Sequence, residues 1–282
     1  MNGKVCMVTG ATSGMGVVTA QALAQHGAKV IVIGRSREKG ITTVSQIRRQ
    51  TGNPAVELLL ADLSSQSEVR HLAQTFTSQH DRLDVLINNA GAIFTRRQET
   101  IDGIEVTLAL NHLAGFLLTN LLLDALKASA PARIINVSSF AHKLAKIRFA
   151  DLQGKRRYVG WQVYAQSKLA NLLFTYELAQ RLEGTGVTVN ALDPGLVATN
   201  FGLSEGGVVN LFKRLLNPLA LSPEEGARTS IYLATSPHVE GITGQYFVNC
   251  RPVKSSQASH DRAAANRLWR VSAELTGLYA TM

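Results

Sequence analysis

The stretch KVCMVTGATSGMG, residues 4–16, decides the fold class of this 282-residue chain. An apolar run opens the stretch and predicts a buried strand, and a helical pattern follows it directly. Between them lie Gly10, Gly14 and Gly16, which suit a tight turn, a close approach of pyrophosphate to the backbone, and close packing of the helix on the sheet. Free backbone N–H groups and the positive end of the helix then face an anion, so the stretch predicts a phosphate-binding turn.

The rest of the chain repeats this alternation of strand and helix. Apolar runs predict seven strands: Lys4–Thr9, Lys29–Gly34, Ala55–Ala61, Leu83–Asn88, Arg133–Ser138, Val187–Leu192 and Gln245–Asn249. Segments with a helical pattern are Met15–His26, Arg37–Gln50, Ser65–Gln79, Ile101–Ala128, Trp161–Glu183 and Pro223–Ala234. Such units predict an α/β fold: a Rossmann-type, doubly wound, seven-stranded parallel sheet with helices on both faces. Because no Pro/Gly/Ser-rich linker divides the chain, we expect a single Rossmann domain over residues 1–282.

Composition narrows the classes of partner. Hydrophobic residues make up 45% of the chain, too many for a disordered protein. The net charge of +9 favours anionic partners such as phosphorylated cofactors. The basic pairs lack interleaved aromatic residues, so nucleic acid is not expected. No apolar run reaches the length of a membrane span and no signal peptide is visible, so we expect a cytoplasmic protein, with peripheral membrane contact left open. The spacing of His and Cys residues predicts no metal site.

The residues after the second predicted strand concern the choice of cofactor. An NAD-selective site places Asp or Glu there to bind the ribose 2′-hydroxyl. This chain instead has Arg35, Ser36 and Arg37. A guanidinium suits a 2′-phosphate, and the Ser36 hydroxyl offers a further hydrogen bond, so we expect NADP(H) rather than NAD(H). The alternative is a solvated basic loop.

Turns after the next strands fit a dinucleotide that lies across the carboxyl ends of the sheet. The carboxylate of Asp62 is placed to accept from the adenine amino group, and small residues after the fourth strand allow close approach. With the glycine turn, the expected cofactor contacts are Gly10, Thr12, Ser13, Gly14, Met15, Gly16, Asp62, Leu63, Asn89, Ala90 and Gly91.

Four polar residues predict the chemistry. Tyr164 and Lys168 are spaced i,i+4 on a predicted helix, so both project from one face. A neighbouring ammonium favours the phenolate and lowers the pKa of a tyrosine, which would let it exchange a proton with a substrate oxygen. Ser139 follows the fifth strand, where its hydroxyl can bind a carbonyl oxygen, and Asn111 is an amide within an apolar helix. A surface Tyr–Lys pair and a packing role for Asn111 are the alternatives.

In this order, the motifs resemble those of the short-chain dehydrogenase/reductase family: TGATSGMG at 9–16, DL at 62–63, NNAG at 88–91, Asn111, NVSS at 136–139, YAQSK at 164–168 and DPG at 193–195. The resemblance implies that Tyr164 exchanges the proton and that Lys168 lowers its pKa and binds the nicotinamide ribose. It also implies that Ser139 positions the carbonyl and that Asn111 holds a water linked to Lys168. The residues implied to lie along the nicotinamide are Pro194, Gly195, Val197 and Thr199. A homo-oligomer is left open.

The long connection between Ser139 and Tyr164 indicates a narrower likeness. Ser139 lies 25 residues before Tyr164, and the basic insertion 140–160 between them is similar to that of the retinol dehydrogenase branch. The segment 201–221 is predicted to be a substrate lid, with apolar residues Phe201, Leu203, Val208, Val209, Leu211 and Phe212. We therefore expect an NADP-dependent oxidoreductase that acts on an apolar, retinal-like or other aldehyde, ketone or alcohol. A reductase of a conjugated or tetrapyrrole-like carbon–carbon double bond and a non-catalytic NADP-binding regulator are the alternatives.

Overall fold

The structure is a computed structural model that describes residues 1–197 and 221–278. Its strands are β1 (Val5–Val8), β2 (Lys29–Gly34), β3 (Val56–Leu60), β4 (Val85–Asn88), β5 (Ala132–Val137), β6 (Val187–Asp193), β7 (Tyr246–Val248) and β8 (Arg251–Val253). They form one sheet in the order β3-β2-β1-β4-β5-β6-β7-β8. The pairs from β3 through to β7 are parallel, whereas β8 pairs with β7 in the antiparallel direction.

The eighth strand corrects the prediction of a seven-stranded, fully parallel sheet. Arg251–Val253 contains only three residues, all exposed, with a proline at its centre. It therefore lacks the apolar run by which the other strands were predicted. A two-residue turn joins it to β7, and both turn residues, Asn249 and Cys250, have positive φ values, 48° and 61°. Two positive φ values are the backbone signature of a tight hairpin turn.

The helices follow the predicted alternation. They are α1 (Gly14–Gln25), α2 (Arg37–Thr51), α3 (Gln66–Gln79), α4 (Val106–Leu108), α5 (Ala114–Leu121), α6 (Leu123–Ala128), α7 (Gly160–Arg181), α8 (Pro223–Thr235) and α9 (Arg262–Leu275). The segment Ile101–Ala128, predicted as one helix, is interrupted. The buried Glu105 carboxylate accepts from the backbone N–H groups at the start of α4, and the π-helix Ala109–Leu113 separates α4 from α5. Apolar periodicity does not distinguish a π-helical turn from an α-helical one, so the sequence pattern missed the break.

Alternate residues of each strand pack on opposite faces of the sheet. In β1, Met7 belongs to the cluster that includes Phe76, Phe116 and Phe174 of α3, α5 and α7. Its neighbour Val8 belongs to the cluster formed with α1, α2 and α8. The period of two along the strand therefore produces two apolar layers, which confirms helices on both faces.

The strand order places the candidate site. β1 pairs with β2 on one side and with β4 on the other, so the succession of strands reverses beside β1. In a doubly wound sheet, ligands bind in the crevice outside the carboxyl ends of the strands at this reversal. The glycine turn begins there, directly after β1.

The two long connections differ in what the structure describes. The basic insertion 140–160 contains two short 3₁₀ helices, Phe140–Leu144 and Phe149–Asp151. The predicted lid, residues 201–221, lies outside the described ranges except for Leu221. Within 1–197 and 221–278, no helix combines the length and the apolar character that a membrane crossing requires.

Candidate active site

The turn after β1 presents the start of α1 toward the crevice. Ser13 is the N-cap residue, but its side chain makes no capping hydrogen bond, and the first turn holds no acidic residue. The backbone N–H groups at the start of a helix need acceptors, and the helix end is partly positive. Gly10 and Gly14 have φ values of 64° and 54°, which residues with a Cβ rarely adopt. The turn therefore fits a phosphate group.

Gly16 and Gly10 lie in close backbone contacts. A Cβ atom on Gly16 would lie 2.3 Å from the Gly10 carbonyl oxygen and 2.9 Å from the Cα of Ala11. A Cβ on Gly10 would lie 3.0 Å from the Cα of Ala90, in the turn after β4. Because backbone atoms cannot move aside cheaply, both glycines are required for the shape of this turn.

Thr9, which the sequence did not single out, joins the ends of β1 and β4. Its hydroxyl accepts from the N–H groups of Asn89 at 2.9 Å and Ala90 at 3.0 Å. The Asn89 side chain donates back to the Thr9 carbonyl at 2.8 Å. Asn89 and Ala90 thus lie beside the glycine turn as predicted, and a hydroxyl residue at the end of a strand is the signal that points to Thr9.

The residues after β2 adjoin the same turn. A Cβ on Gly34 would lie 2.4 Å from the Thr12 side chain, so the end of β2 and the glycine turn touch. Arg35 and Arg37 are exposed, and no ion pair to either is found in the part of the chain that the structure describes. Ser36 is the N-cap of α2 and accepts from Lys39 N–H at 3.4 Å. Two cations at a helix N-terminus fit an anion such as a 2′-phosphate.

Asp62 and Leu63 follow β3. One carboxylate oxygen of Asp62 accepts from the backbone N–H and the hydroxyl of Ser64, at 2.9 and 2.7 Å. Leu63 is buried in the core cluster. The structure therefore gives Asp62 a role in shaping its own turn, and its predicted contact with adenine stays a prediction.

The two serines after β5 have different partners. The Ser138 hydroxyl donates to the Lys168 backbone carbonyl at 2.8 Å. The Ser139 hydroxyl accepts from Ala141 N–H at 3.3 Å and is a hydrogen-bond partner of the Tyr164 phenol. The geometry thus brings the second serine of the pair to the predicted proton-transfer residue.

Lys168 is buried, with 3% of its surface exposed. Its Nζ donates to the Val137 carbonyl at 3.0 Å and lies 5.6 Å from the centre of the Tyr164 ring. Burial lowers the pKa of Lys168 to about 8, and the negative charge of Asp193 opposes this shift. A Cβ built on Gly91 would lie 3.4 Å from Nζ, so the turn after β4 borders the ammonium.

The pKa of Tyr164 differs in direction from the expectation. Burial raises it to about 12, Asp193 adds to the rise, and the hydrogen bond from Ser139 lowers it. The sequence predicted a lowered pKa because it placed an ammonium one helical turn away. The Lys168 ammonium is instead directed to the Val137 carbonyl, and the loss of water around the phenol dominates.

Asn111 lies at the centre of the π-helix and joins three elements. Its Oδ1 accepts from Ala92 N–H at 2.8 Å, and its Nδ2 donates to the Ala92 carbonyl at 2.9 Å and the Ser167 hydroxyl at 3.0 Å. π-Helical turns occur often at functional sites. Both polar atoms of the amide have protein partners, so the water that Asn111 is predicted to hold for Lys168 stays a prediction.

Asp193, at the end of β6, was quoted only as part of a motif. Its side chain is buried and accepts from Gly195 N–H at 2.9 Å and the Tyr246 hydroxyl at 3.3 Å. Its charge raises the pKa values of both Tyr164 and Lys168. The sequence signal was the acidic residue directly after a buried strand.

The segment after Asp193 returns to the glycine turn. Pro194 directly precedes Gly195, which has a φ of 81°. A Cβ on Gly226 of α8 would lie 2.5 Å from the Val197 side chain and 2.7 Å from Met15 Sδ. The Val197 and Met15 side chains therefore both lie against Gly226, and the predicted contact of Val197 with the nicotinamide stays a prediction. Thr199 and the apolar lid residues lie outside the described ranges.

Comparison with known proteins identifies related chains. The sequence pattern described as "short chain dehydrogenase" matches residues 4–205. The chain is 44% identical over 276 residues to retinol dehydrogenase 12 of Mus musculus, covering 98% of this chain and 87% of that one. A crystal structure of an uncharacterised protein from Mycobacterium paratuberculosis has a TM-score of 0.78 at 33% identity, covering 98% and 94% of the two chains. The NADP active-site complex of Pseudomonas aeruginosa RhlG has a TM-score of 0.69 at 27% identity, covering 88% and 94%.

Proposed function

The chain belongs to the short-chain dehydrogenase family, and on this premise we propose that it is an NADP(H)-dependent oxidoreductase that interconverts the carbonyl and alcohol forms of an apolar small molecule. One observation carries the proposal. The Tyr164 phenol is hydrogen-bonded to Ser139 and lies beside the buried Lys168. Ser139 and the Lys168 ammonium lie at the carboxyl end of β5, and the glycine turn follows the carboxyl end of β1 in the same sheet.

The side chains divide the chemistry between them. NADP(H), when bound, would supply or accept the hydride at the substrate carbon. In the direction of reduction, the Tyr164 phenol gives its proton to the substrate oxygen, and the Ser139 hydroxyl donates to the same oxygen. A phenol with a pKa of about 12 is fully protonated at neutral pH, which is the state that carbonyl reduction requires.

Lys168 provides the positive charge next to this proton transfer. Its ammonium stabilises negative charge that develops on Tyr164 as the proton leaves. In the direction of alcohol oxidation, Tyr164 must act as a base, so its pKa has to fall when cofactor and substrate fill the site. The pKa of Lys168 of about 8 keeps it mostly charged at neutral pH.

Four features support NADP(H) over NAD(H). Arg35 and Arg37 are exposed at the start of α2, beside the glycine turn, and no carboxylate follows β2 at the place where an NAD-selective site needs one. The related RhlG structure was determined with NADP. Ser36 is the N-cap of α2, so the partly positive N-terminus of this helix also faces the place proposed for the 2′-phosphate.

Aromatic residues near Tyr164 support an apolar substrate. The Trp161 ring lies 5.6 Å from the Tyr164 ring and 6.3 Å from that of Phe140, measured between centroids. Each of Trp161 and Phe140 keeps 43% of its surface exposed, and Leu144 keeps 72%. Exposed aromatic faces beside a reacting oxygen favour a conjugated or aromatic substrate. With the 44% identity to a retinol dehydrogenase, we propose a retinal-like or other apolar aldehyde or ketone.

A substrate panel tests the proposal. The purified chain is mixed with apolar aldehydes, ketones and conjugated alkenes, and the loss of NADPH absorbance is followed, with NADH as the cofactor control. We expect turnover of aldehydes or ketones, faster with NADPH. Turnover of conjugated alkenes alone would make the chain a double-bond reductase. Binding of NADPH with no turnover of any class would favour a non-catalytic NADP-binding protein.

A further inference from the structure

His142 is a fully buried histidine that the proposed chemistry does not use. It has no exposed surface and lies in the 3₁₀ helix Phe140–Leu144, which begins directly after Ser139. Burial lowers the pKa of its imidazole. A neutral buried imidazole needs one acceptor for its N–H and one donor for its other nitrogen.

Both partners are backbone groups, and they come from distant parts of the chain. Nδ1 lies 2.7 Å from the Ser139 carbonyl oxygen. The N–H of Ser256 donates to Nε2 at 3.1 Å, across 114 residues of sequence. A carbonyl oxygen only accepts and a backbone N–H only donates, so His142 carries its proton on Nδ1. Only the neutral ring makes both bonds at once.

The segment that supplies this N–H is itself anchored. Ser256 is the N-cap of the 3₁₀ helix Gln257–His260. The preceding Ser255 is hydrogen-bonded at 2.6 Å to the Tyr176 hydroxyl, on the same helix α7 that carries Tyr164 and Lys168. On its other side, the His142 ring packs edge-on against Tyr246 at 5.0 Å between centroids, and the Tyr246 hydroxyl donates to Asp193.

We propose that His142 is a positioning residue, which couples the C-terminal segment around Ser256 to the backbone of Ser139 and so holds the Ser139 hydroxyl at Tyr164. This inference rests on the proposed function, because Ser139 has to act on the substrate oxygen. Catalytic geometry is sensitive to such support, since a displacement of about 1 Å can reduce the rate by roughly a hundredfold.

Ser256 offers a matched pair of variants. Its φ of −67° is compatible with proline. Ser256→Pro removes the N–H donor and puts the ring Cδ in its place, against Nε2 of His142, so the bond is broken and the imidazole is displaced. The Ser256 hydroxyl has no hydrogen-bond partner among the described residues, so Ser256→Ala keeps the N–H and changes little else. We expect Ser256→Pro to lower kcat roughly tenfold or more with an unchanged Kd for NADPH, and Ser256→Ala to match the wild type.

His142→Asn and the double variant complete the test. The asparagine amide can keep a donor near Nδ1 but does not reach Ser256, so kcat should fall as in Ser256→Pro. In the double variant His142→Asn/Ser256→Pro, kcat should fall no further than in either single variant, because both changes remove one coupling. A merely structural role would lower the melting temperature of the variants and leave kcat at the wild-type level at a temperature where they are folded.

The outcomes separate this inference from the proposed function. A folded Ser256→Pro variant with wild-type kcat would overturn the coupling. If that variant fails to fold, a wild-type kcat for His142→Asn would overturn it. Failure of the proposed function has a different signature, which is the absence of aldehyde or ketone turnover by the wild type itself.

Discussion

The hydroxyl of Ser138 donates to the backbone carbonyl of Lys168 at 2.8 Å, which fixes the end of β5 to the middle of α7. This bond uses the hydroxyl proton of Ser138, and the partner of the Tyr164 phenol is the next residue, Ser139. Two adjacent residues of one type therefore have separate roles, one in holding the scaffold together and one in the reaction.

Substitution of each serine should separate these roles. Ser139→Ala removes a donor to the substrate oxygen, so kcat should fall by roughly a hundredfold or more, and the lost N-cap bond to Ala141 N–H should cost about 1 kcal/mol in stability. Ser138→Ala should cost about 1 kcal/mol in stability and leave a larger part of kcat intact. Steady-state kinetics and urea unfolding of both variants check this. Equal losses of kcat in the two would contradict the assignment.

Arg35 should determine the preference for NADPH. If its guanidinium binds the 2′-phosphate, Arg35→Ser loses a charged hydrogen bond worth about 1.5–3 kcal/mol, which corresponds to a roughly 10- to 150-fold rise in the Kd for NADPH. The Kd for NADH, which lacks the phosphate, should stay the same. Arg49→Ala, in the last turn of α2, is the matched control for a change of net charge. An equal weakening of both cofactors in Arg35→Ser would refute this role.

The charge of Asp193 should determine the pH at which kcat/KM declines on the alkaline side. Its negative charge opposes the effect of burial on Lys168, whose pKa is about 8. Asp193→Asn removes that support, so the pKa of Lys168 should fall further and the decline of kcat/KM should begin at lower pH than in the wild type. Tyr246→Phe deletes the hydrogen bond to Asp193 but keeps the carboxylate, and it should leave the limb in place. An unshifted limb in Asp193→Asn would count against the electrostatic role of this residue.

Asp84 should make the stability depend on pH. Burial acts to raise its pKa, but hydrogen bonds from Arg82, Val5 N–H and Lys4 outweigh burial and hold the pKa below its ordinary value. A depressed carboxyl pKa contributes stability that is present above the unfolded-state pKa and is lost as the pH falls through the folded-state pKa. Asp84→Asn should therefore lower the free energy of unfolding by about 2 kcal/mol at neutral pH. Solvent screening keeps the loss to this size, because both cationic partners are partly exposed.

Urea unfolding at neutral and acidic pH measures this effect. The difference between wild type and Asp84→Asn should shrink as the pH falls below about 4, where the unfolded-state carboxylate takes up a proton, and should be lost once the pH is below the lowered pKa of the folded state. Asp81→Asn, on an exposed residue of the same loop, controls for the loss of one negative charge. A difference that does not change with pH would show that Asp84 contributes by shape and not by charge.

Much of the fold followed from residue patterns whose physical cause is local. A buried parallel strand needs an apolar run, and the seven predicted strands all occur, with ends that differ by at most two residues. β8 was missed because Arg251–Val253 is an exposed edge strand with no apolar run. The break in the helix 101–128 was missed because the buried Glu105 and the π-turn around Asn111 depend on contacts with other elements.

In the candidate site, too, the sequence predicted what depends on local spacing and missed what depends on contacts with distant elements. The spacing of Tyr164 and Lys168 placed both side chains on one helical face, as the structure has them. The direction of the Tyr164 pKa could not be read from spacing, because burial depends on everything packed around the phenol. Asp193 and His142 were not assigned roles, since their partners lie tens of residues away in the sequence.

The most direct test of the account is Tyr164→Phe, measured for both NADPH binding and carbonyl turnover. The substitution removes one hydroxyl from a buried ring, so the fold and the Kd for NADPH should be retained while turnover falls to background, because no other group donates the proton. Tyr232→Phe, in α8, is the control and should keep turnover. Wild-type turnover by Tyr164→Phe would contradict the central claim that this phenol transfers the proton.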